Sequence, residues 1–461
     1  MSEKTFDSFK EAVHETAFDK EMHRKLSWNI GKYAATVVKG KEQYEDLETA
    51  KMRAKNLKWK AMEALDKYLL EFESNFTKRG GKVVWAETAD EALAEIASVI
   101  NRVDAKSIVK SKSMTTEEVH LNNFLEKMGV ESVETDLGEY IQQMDKQPPF
   151  HIVTPAMHKS KEDVAKVFHE HHGTPLDSTP EQLTMVARKI LREKYVKADI
   201  GITGANFILP DIGGVLVLEN EGNARLTVTF PKVHIVIVGI EKVIPSVNDL
   251  HLFLPLLSTF GTGQQITVYN SILTGPKQEG EIDGPEEMIV ILMDNGRSNL
   301  LAEAEQRQAL YCIRCGACLN ACPVYKNIGG FSYQTTYSGP IGSVITPHFK
   351  GMEDFKHLSG ASSLCGNCTE VCPMKIELHN LLVMNRRDAV NDGFYNKSEK
   401  FGWMVWKRAM LNRKLMNTGG AGIKNFMMKM LFKNTWGGKR EMPIIAKKSF
   451  NQLWKEKSKS D

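Results

Sequence analysis

The sequence predicts an α/β domain built on a parallel sheet, then a small, mainly helical module carrying seven cysteines, then a helical basic tail. Three observations lead there. From about residue 80 to residue 200, short apolar runs alternate with amphipathic runs at the spacing of a parallel sheet covered by helices. All seven cysteines fall between 312 and 372, in two groups that each end in Cys-Pro. Residues 397–461 hold sixteen Lys and Arg against four Asp and Glu, a net +12 in a chain whose total is +3.

At 461 residues the chain is too long for one small core. The expected division is a helical segment over 1–70, the α/β domain over 71–298, the cysteine module over 299–385 and the basic, Met- and Trp-rich extension over 386–461. The composition, 42% hydrophobic and 25% charged, is that of an ordinary globular protein. The opening "MSEKTFDSFKEAVHET" has no apolar core of a secretory signal. The longest apolar runs, "VHIVIVGI" (233–240) and "MIVILM" (288–293), are too short to span a bilayer. A cytoplasmic location is expected, where clustered cysteines are more often metal ligands or redox groups than disulfides. The tail's charge suits an acidic partner or peripheral contact with the inner face of the membrane, and no nucleic acid is expected.

Taken in order, residues 42–76 read as one long helix, with Leu57, Met62, Leu65 and Leu69 at helical spacing, stopped by "RGG" (79–81). "KVVWAE" (82–87), "SIVKSK" (107–112), "VESVET" (130–135) and "HIVTPA" (151–156) read as strands. "ADEALAEIASVINRV" (89–103) and "TEEVHLNNFLEKMG" (116–129) read as helices, and a helical stretch follows to about Asp199. From Gly201 to Ile240 the pattern is mostly strand, with turns at Gly213–Gly214 and Glu221–Asn223. "SVNDLHLFLPLLSTF" (246–260) returns to helix, and "GQQITVY" (263–269) and "EEMIVILM" (286–293) to strand. "NLLAEAEQRQALY" (299–311) predicts a helix that feeds into the cysteines.

The first group is Cys312, Cys315, Cys318 and Cys322, followed by Pro323: C-x2-C-x2-C-x3-C-P, the run with which bacterial-type ferredoxins hold [4Fe–4S] clusters. Two-residue gaps in a tight turn let three thiolates reach three corners of one cube. The fourth cysteine starts a helix that leads away and reaches a different cluster, and proline suits the first position of that helix. Gly316 lets the backbone pass close to the inorganic sulfide. The second group is Cys365, Cys368 and Cys372 with Pro373, the same run without its first ligand, whose place is taken by Ser362. Crossed ligation gives one cluster on Cys312, Cys315, Cys318 and Cys372, and a second on Cys322, Cys365 and Cys368 with three thiolates only. A four-thiolate zinc site is the alternative, but it leaves three thiols idle and both Cys-Pro steps unexplained. The spacer between the groups contains "GPIGSVIT" and "MEDFKHL", which read as helical turns.

Other candidates are weaker. "ADIGITGANF" and "STFGTGQQI" are glycine-rich but match neither G-x-G-x-x-G nor a phosphate-binding loop. His169, His171 and His172 are either metal ligands or a solvated helix end. Lys110, Lys112 and Ser113 either cradle an anion or cap a helix. Glu219 and Glu221 beside Gly222 are either catalytic acids or a polar turn. Trp403 and Trp406 lie on a basic amphipathic stretch that either docks on a partner or membrane surface or packs inward. No catalytic residue is assigned.

The four-cysteine run, "SSLCGNCTEVCP", "GITGANFILPDIGGVLVLENEGNARL" and "ETDLGEYI" together resemble the lactate-utilisation B family, over nearly the whole chain. The resemblance implies a LUD domain, similar to the sugar-isomerase and CoA-transferase fold, and two [4Fe–4S] clusters. It implies an electron-transfer role in a three-part bacterial L-lactate oxidation system, with one cysteine-rich partner and a second LUD protein. A rival reading is a LUD-domain enzyme acting on an anionic substrate, its clusters supporting or structural.

Overall fold

Two runs, Val233–Gly239 and Glu287–Met293, are almost wholly buried along their length, as expected of strands covered on both faces. Their side chains alternate between two cores. Ile235, Ile237, Ile289 and Ile291 face one, and Val236, Val238, Val290 and Leu292 face the other. In the computed structural model, which describes residues 2–436 and 441–458, the strands are β1 (Lys82–Ala86), β2 (Ser107–Lys110), β3 (Glu131–Glu134), β4 (Ile200–Thr203), β5 (Phe207–Leu209), β6 (Gly214–Glu219), β7 (Val233–Gly239), β8 (Tyr269–Leu273) and β9 (Glu287–Met293). Six form one sheet in the order β1-β9-β7-β4-β2-β3, every pair parallel. β5, β6 and β8 form a small antiparallel sheet.

The helices Ala89–Val103 and Leu121–Lys127 cover one face of the large sheet. On the other face Val109 and Val133 of β2 and β3 pack with Leu191 and Tyr195, and β7 and β9 face the largest core. It runs from the N-terminal helices Lys20–Lys41, Leu47–Glu63 and Leu65–Thr77 through the helix Leu250–Thr262 into the cysteine loops, where Cys315, Cys318, Cys322, Cys368 and Cys372 are part of it. Residues Met1–Ala389 accordingly form one compact unit, and Val390–Asp461 a second.

Several expected elements are revised by packing. The long helix of 42–76 starts only at Leu47, capped by Asp46, and breaks at Ala64 (φ −133°, ψ 38°), which turns Leu65, Leu69, Phe72 and Phe76 into the core. The helix expected over 116–129 is two, Met114–Glu118 and Leu121–Lys127, separated at His120 (φ 53°). The stretch to Asp199 is likewise two helices, Lys161–His172 and Pro180–Lys197. "HIVTPA" is no strand. His151 folds it into a turn, its Nδ1 accepting from the backbone N–H of Val153 (3.1 Å) and Thr154 (3.2 Å). Within the mostly-strand region, Asn223–Thr229 is a helix. The Glu219 carboxylate accepts the N–H groups of Ala224 (2.6 Å) and Arg225 (2.8 Å) at its start. The strand expected at 263–269 lies later, as β8, and the helix over 299–311 is Arg297–Ala302 followed by a 3₁₀ turn, Gln306–Tyr311.

The second unit carries the helices Lys397–Leu411, Arg413–Asn417, Ala421–Trp436 and Phe450–Lys457. None of its described residues is buried, and Trp403, Trp406, Phe426, Met430 and Trp454 are exposed. Among the described residues no helix is long and apolar enough to cross a membrane.

The helix Asn223–Thr229 packs on β4 at Gly201, where a Cβ would lie 2.0 Å from the carbonyl oxygen of Thr227. Gly201→Ala is expected to destabilise the protein by about 1–3 kcal/mol. Gly31→Ala, in open space inside Lys20–Lys41, should stabilise it by about 0.5–1 kcal/mol. Urea denaturation of the two variants checks both signs.

Candidate functional site

The two cysteine groups are built as an internal repeat. Arg314 (φ 60°) and Gly316 (φ 79°) shape the first loop, and Leu364 (φ 54°) and Gly366 (φ 82°) hold the same places in the second. Gly316 and Gly366 start short helices, Ala317–Ala321 and Asn367–Glu370, that carry Cys318 and Cys368. The backbone N–H of Arg314 donates to Cys312 Sγ (3.4 Å), and that of Leu364 donates to Ser362 Oγ (3.2 Å). Ser362 therefore repeats the part Cys312 plays in the first loop. Cys322 caps the helix Pro323–Ile328, its sulfur accepting from Tyr325 N–H (3.5 Å), and Cys372 Sγ accepts from Ile376 N–H (3.4 Å).

The thiols assort across the repeat. Cys312, Cys315, Cys318 and Cys372 line one cavity, closed by Ile152, Ile313, Ile341, Met374 and other apolar groups. Cys322, Cys365 and Cys368 are electrostatic neighbours in a second group, and Asn367 Nδ2 ties its loop to the first through Ala321 O (3.0 Å). Cys365 is exposed, so the second group reaches the surface. No three of these sulfurs lie within 4.8 Å of one another. A tetrahedral zinc, with Zn–S of about 2.3 Å, would draw its thiolates to about 3.8 Å.

Charge points the same way. Burial pushes the thiols of Cys315, Cys318, Cys322, Cys368 and Cys372 up, Cys368 to about 11 and Cys372 to about 12. Neighbouring sulfurs add to the rise, so thiols in this arrangement stay protonated unless a positive centre sits among them. Buried donors without partners adjoin the first group. Arg314, whose Nη1 has no partner, is an electrostatic neighbour of Cys312, and His151, whose Nε2 has none, packs against Gly316. Because His151 Nδ1 accepts two backbone N–H bonds, Nε2 carries the proton. A thiolate-bound iron–sulfur cluster fits this donor set.

The loop is joined to the sheet by buried ions. Arg297, after β9, donates from Nη2 (2.8 Å) and Nη1 (3.0 Å) to Glu118, after β2, and from Nε to Glu241, after β7 (2.6 Å). Glu118 also accepts from Tyr337 OH (2.7 Å), and Arg314 Nη2 lies 3.5 Å from Glu241 with its guanidinium over the Tyr337 ring. Gly239 is required beside them, since a Cβ would meet Glu241 Oε2 at 2.1 Å. Burial alone would push Glu241 up, but Arg297, Lys242 and Arg314 hold it at about 2. The carboxyl ends of parallel strands are where α/β domains usually bind ligands. Here side chains of the cysteine module occupy that position.

A LUD domain matches over residues 69–293 and a 4Fe-4S dicluster domain over 308–376. Lactate utilization protein B of Bacillus subtilis (strain 168) is 46% identical over 385 residues, 83% of this chain and 80% of its own. Its namesake in Bacillus velezensis is 40% identical over 464 residues, 98% of this chain and 97% of its own. The one in Geobacillus sp. (strain WCH70) is 47% identical over 347 residues, 75% and 73%. This chain belongs to the lactate utilization protein B family. As a family member with a dicluster domain it is an iron–sulfur protein.

Elsewhere in this LUD domain the candidate residues are already engaged. Lys110 Nζ is held by Glu134 (2.6 Å), Glu117 (3.2 Å) and Thr116 (3.0 Å), and Lys112 donates to Val153 O (2.7 Å). Ser113 caps Met114–Glu118. An anion cradle at these residues is thereby overturned, because Lys110 is matched by more carboxylates than it can neutralise. Among the described residues Glu117, Glu134 and Glu139 are close enough for a cation, but Lys110 holds that position. Burial and the Glu134 carboxylate push Glu139 well up. His169 and His172 close a helix end, bonded to Thr174 O (2.7 Å) and Tyr140 OH (3.0 Å). Glu219 is a helix cap and Glu221 lies at the turn before it. The ion chain of Glu118, Glu241, Arg297 and Arg314 is what sequence reasoning missed.

Arg297→Ala should cost about 3–5 kcal/mol, since it strands two buried carboxylates. Lys194→Ala, in an exposed pair with Glu131, should cost under about 1 kcal/mol. Glu241's depressed value means that its contribution is present above the ordinary carboxylate range and is lost as the pH falls from 4.5 towards about 2. Denaturant titrations of both variants, and of the parent protein across that window, check the ranking and the sign.

Proposed function

We propose that this chain is the iron–sulfur electron-transfer subunit of an L-lactate oxidation system and passes electrons one at a time from a partner that holds the substrate. The observation that carries the reading is the assortment of the seven cysteines across the repeat. One set is Cys312, Cys315, Cys318 and Cys372; the other is Cys322, Cys365 and Cys368. Bound at these two sets, [4Fe–4S] clusters supply one-electron acceptors whose potentials follow burial and hydrogen bonding to sulfur. The chain's own part is to enclose the first set in apolar side chains, to direct the N–H groups of Arg314 and Ile376 at its sulfurs, and to bring the second set to the surface through exposed Cys365. The names of the relatives support lactate as the reductant. The partners are then a cysteine-rich subunit and a second LUD protein, and the α/β domain, read as of the sugar-isomerase and CoA-transferase kind, is a scaffold. The rival reading, a LUD-domain enzyme for an anionic substrate, finds Lys110 paired and the strand ends filled by Arg297 and Arg314.

The isolated chain is expected not to oxidise lactate with any artificial dye, and the cysteine-rich partner should restore dye reduction. Dye reduction by this chain alone at the rate of the full complex would favour the enzyme. Anaerobically purified protein should hold about eight iron and eight sulfide. On exposure to air the three-cysteine centre should lose iron first, and Ser362→Cys, placed where the repeat puts the missing ligand, should slow that loss as followed by EPR.

The basic second unit is read as the docking element, with a net +12 over 397–461 and exposed Trp403 and Trp406. Deleting residues 397–461 should weaken association with the partner subunits in pull-downs, and added salt should weaken the intact complex likewise because exposed charge is screened. Binding indifferent to both would remove the electrostatic role.

A further inference from the structure

The internal repeat contains its own control. Arg314 and Leu364 occupy equivalent places, each in the left-handed region and each donating its N–H to the residue two before it. One loop thus has a guanidinium where the other has an isobutyl group. Arg314 lines the same cavity as Cys312, Cys315, Cys318 and Cys372, and its side chain is only 10% exposed. Of its two terminal nitrogens, Nη2 faces Glu241 at 3.5 Å and Nη1 is buried with no partner. Its plane is fixed by the Tyr337 ring, 4.4 Å away. Glu241 is itself anchored by Arg297, so the guanidinium cannot swing out without breaking a buried ion chain.

We propose that Arg314 is a potential-setting residue: its fixed positive charge raises the reduction potential of the cluster held by Cys312, Cys315, Cys318 and Cys372, and Glu241 behind it opposes that effect. The inference rests on the ligand assignment proposed above. Reduction adds one electron and one negative charge to the cluster, with no bond made or broken at Arg314. A fixed cation within a low-dielectric enclosure stabilises the more negative state, and a fixed anion destabilises it. The α/β domain, through Glu241 and Arg297, thereby acts on the electron affinity of a cluster it does not ligate.

The test is a redox titration of the full-length protein, loaded anaerobically and followed by EPR, with iron content measured for each variant. Arg314→Leu, which copies the second loop, should lower the midpoint of the four-cysteine centre and leave the three-cysteine centre unmoved. Arg314→Lys should fall between Arg314→Leu and the parent. Glu241→Gln should raise the midpoint. Opposite signs for the Arg and Glu variants are what a merely structural role would not produce. If Glu241→Gln does not fold, the Leu and Lys variants of Arg314 decide alone. Two reducible centres with an unmoved midpoint in fully loaded Arg314→Leu would overturn the inference and leave the ligand assignment standing. A parent protein with one reducible centre would overturn both.

Discussion

Arg297 and Arg314 are cations enclosed by protein, and an enclosed cation without a partner is strongly unfavourable. Glu118 and Glu241 supply the partners, and each comes from a different strand end. The requirement to pair these four groups explains much of the surrounding architecture. It explains the glycine at 239, where a side chain would collide with the pair. It also explains why the cysteine module shares one core with the sheet: Arg314 and Tyr337 are the module's contribution to the ion chain. The place where an α/β domain would receive a substrate is given over to this joint.

The same joint gives the electron-transfer reading its physical content. A cluster's potential depends on what surrounds it, and a surface-mounted module would leave that to solvent. Here the first cysteine set is closed by apolar side chains, with the Arg314 charge close by Cys312, and the second opens toward solvent at Cys365. An enclosed site and an exposed one, joined by Asn367 and Ala321, suit the one-electron transfer proposed above.

Much of this was legible in the sequence, for reasons that can be named. β7 and β9 are apolar runs whose burial is dictated by composition, while β1, β2 and β3 fall where strand and helix alternate in the sequence. The cysteine spacing reflects ligand geometry, and Ser362 could be placed by counting back from Cys-Pro. What was illegible depends on side-chain hydrogen bonds, some local and some to distant partners. Asn223–Thr229 has two threonines and a valine that favour strand, and it becomes a helix because Glu219 accepts its first N–H groups. "HIVTPA" looks like a strand until His151 bonds its own following backbone. Glu118, Glu241 and Arg297 read locally as surface charges, since nothing nearby in sequence says that Arg297 pairs with a residue 179 positions away.

The central claim is that ligation crosses between the two halves of the repeat, and the ligands at the Cys-Pro steps test it most directly. Cys322 lies in the first motif but is assigned to the second centre, and Cys372 the reverse. EPR of reduced, anaerobically loaded Cys322→Ala and Cys372→Ala should show that the first variant loses the signal of the three-cysteine centre and keeps the other, and that the second variant does the opposite. Loss of the four-cysteine signal in Cys322→Ala, with the three-cysteine signal intact, would contradict the account.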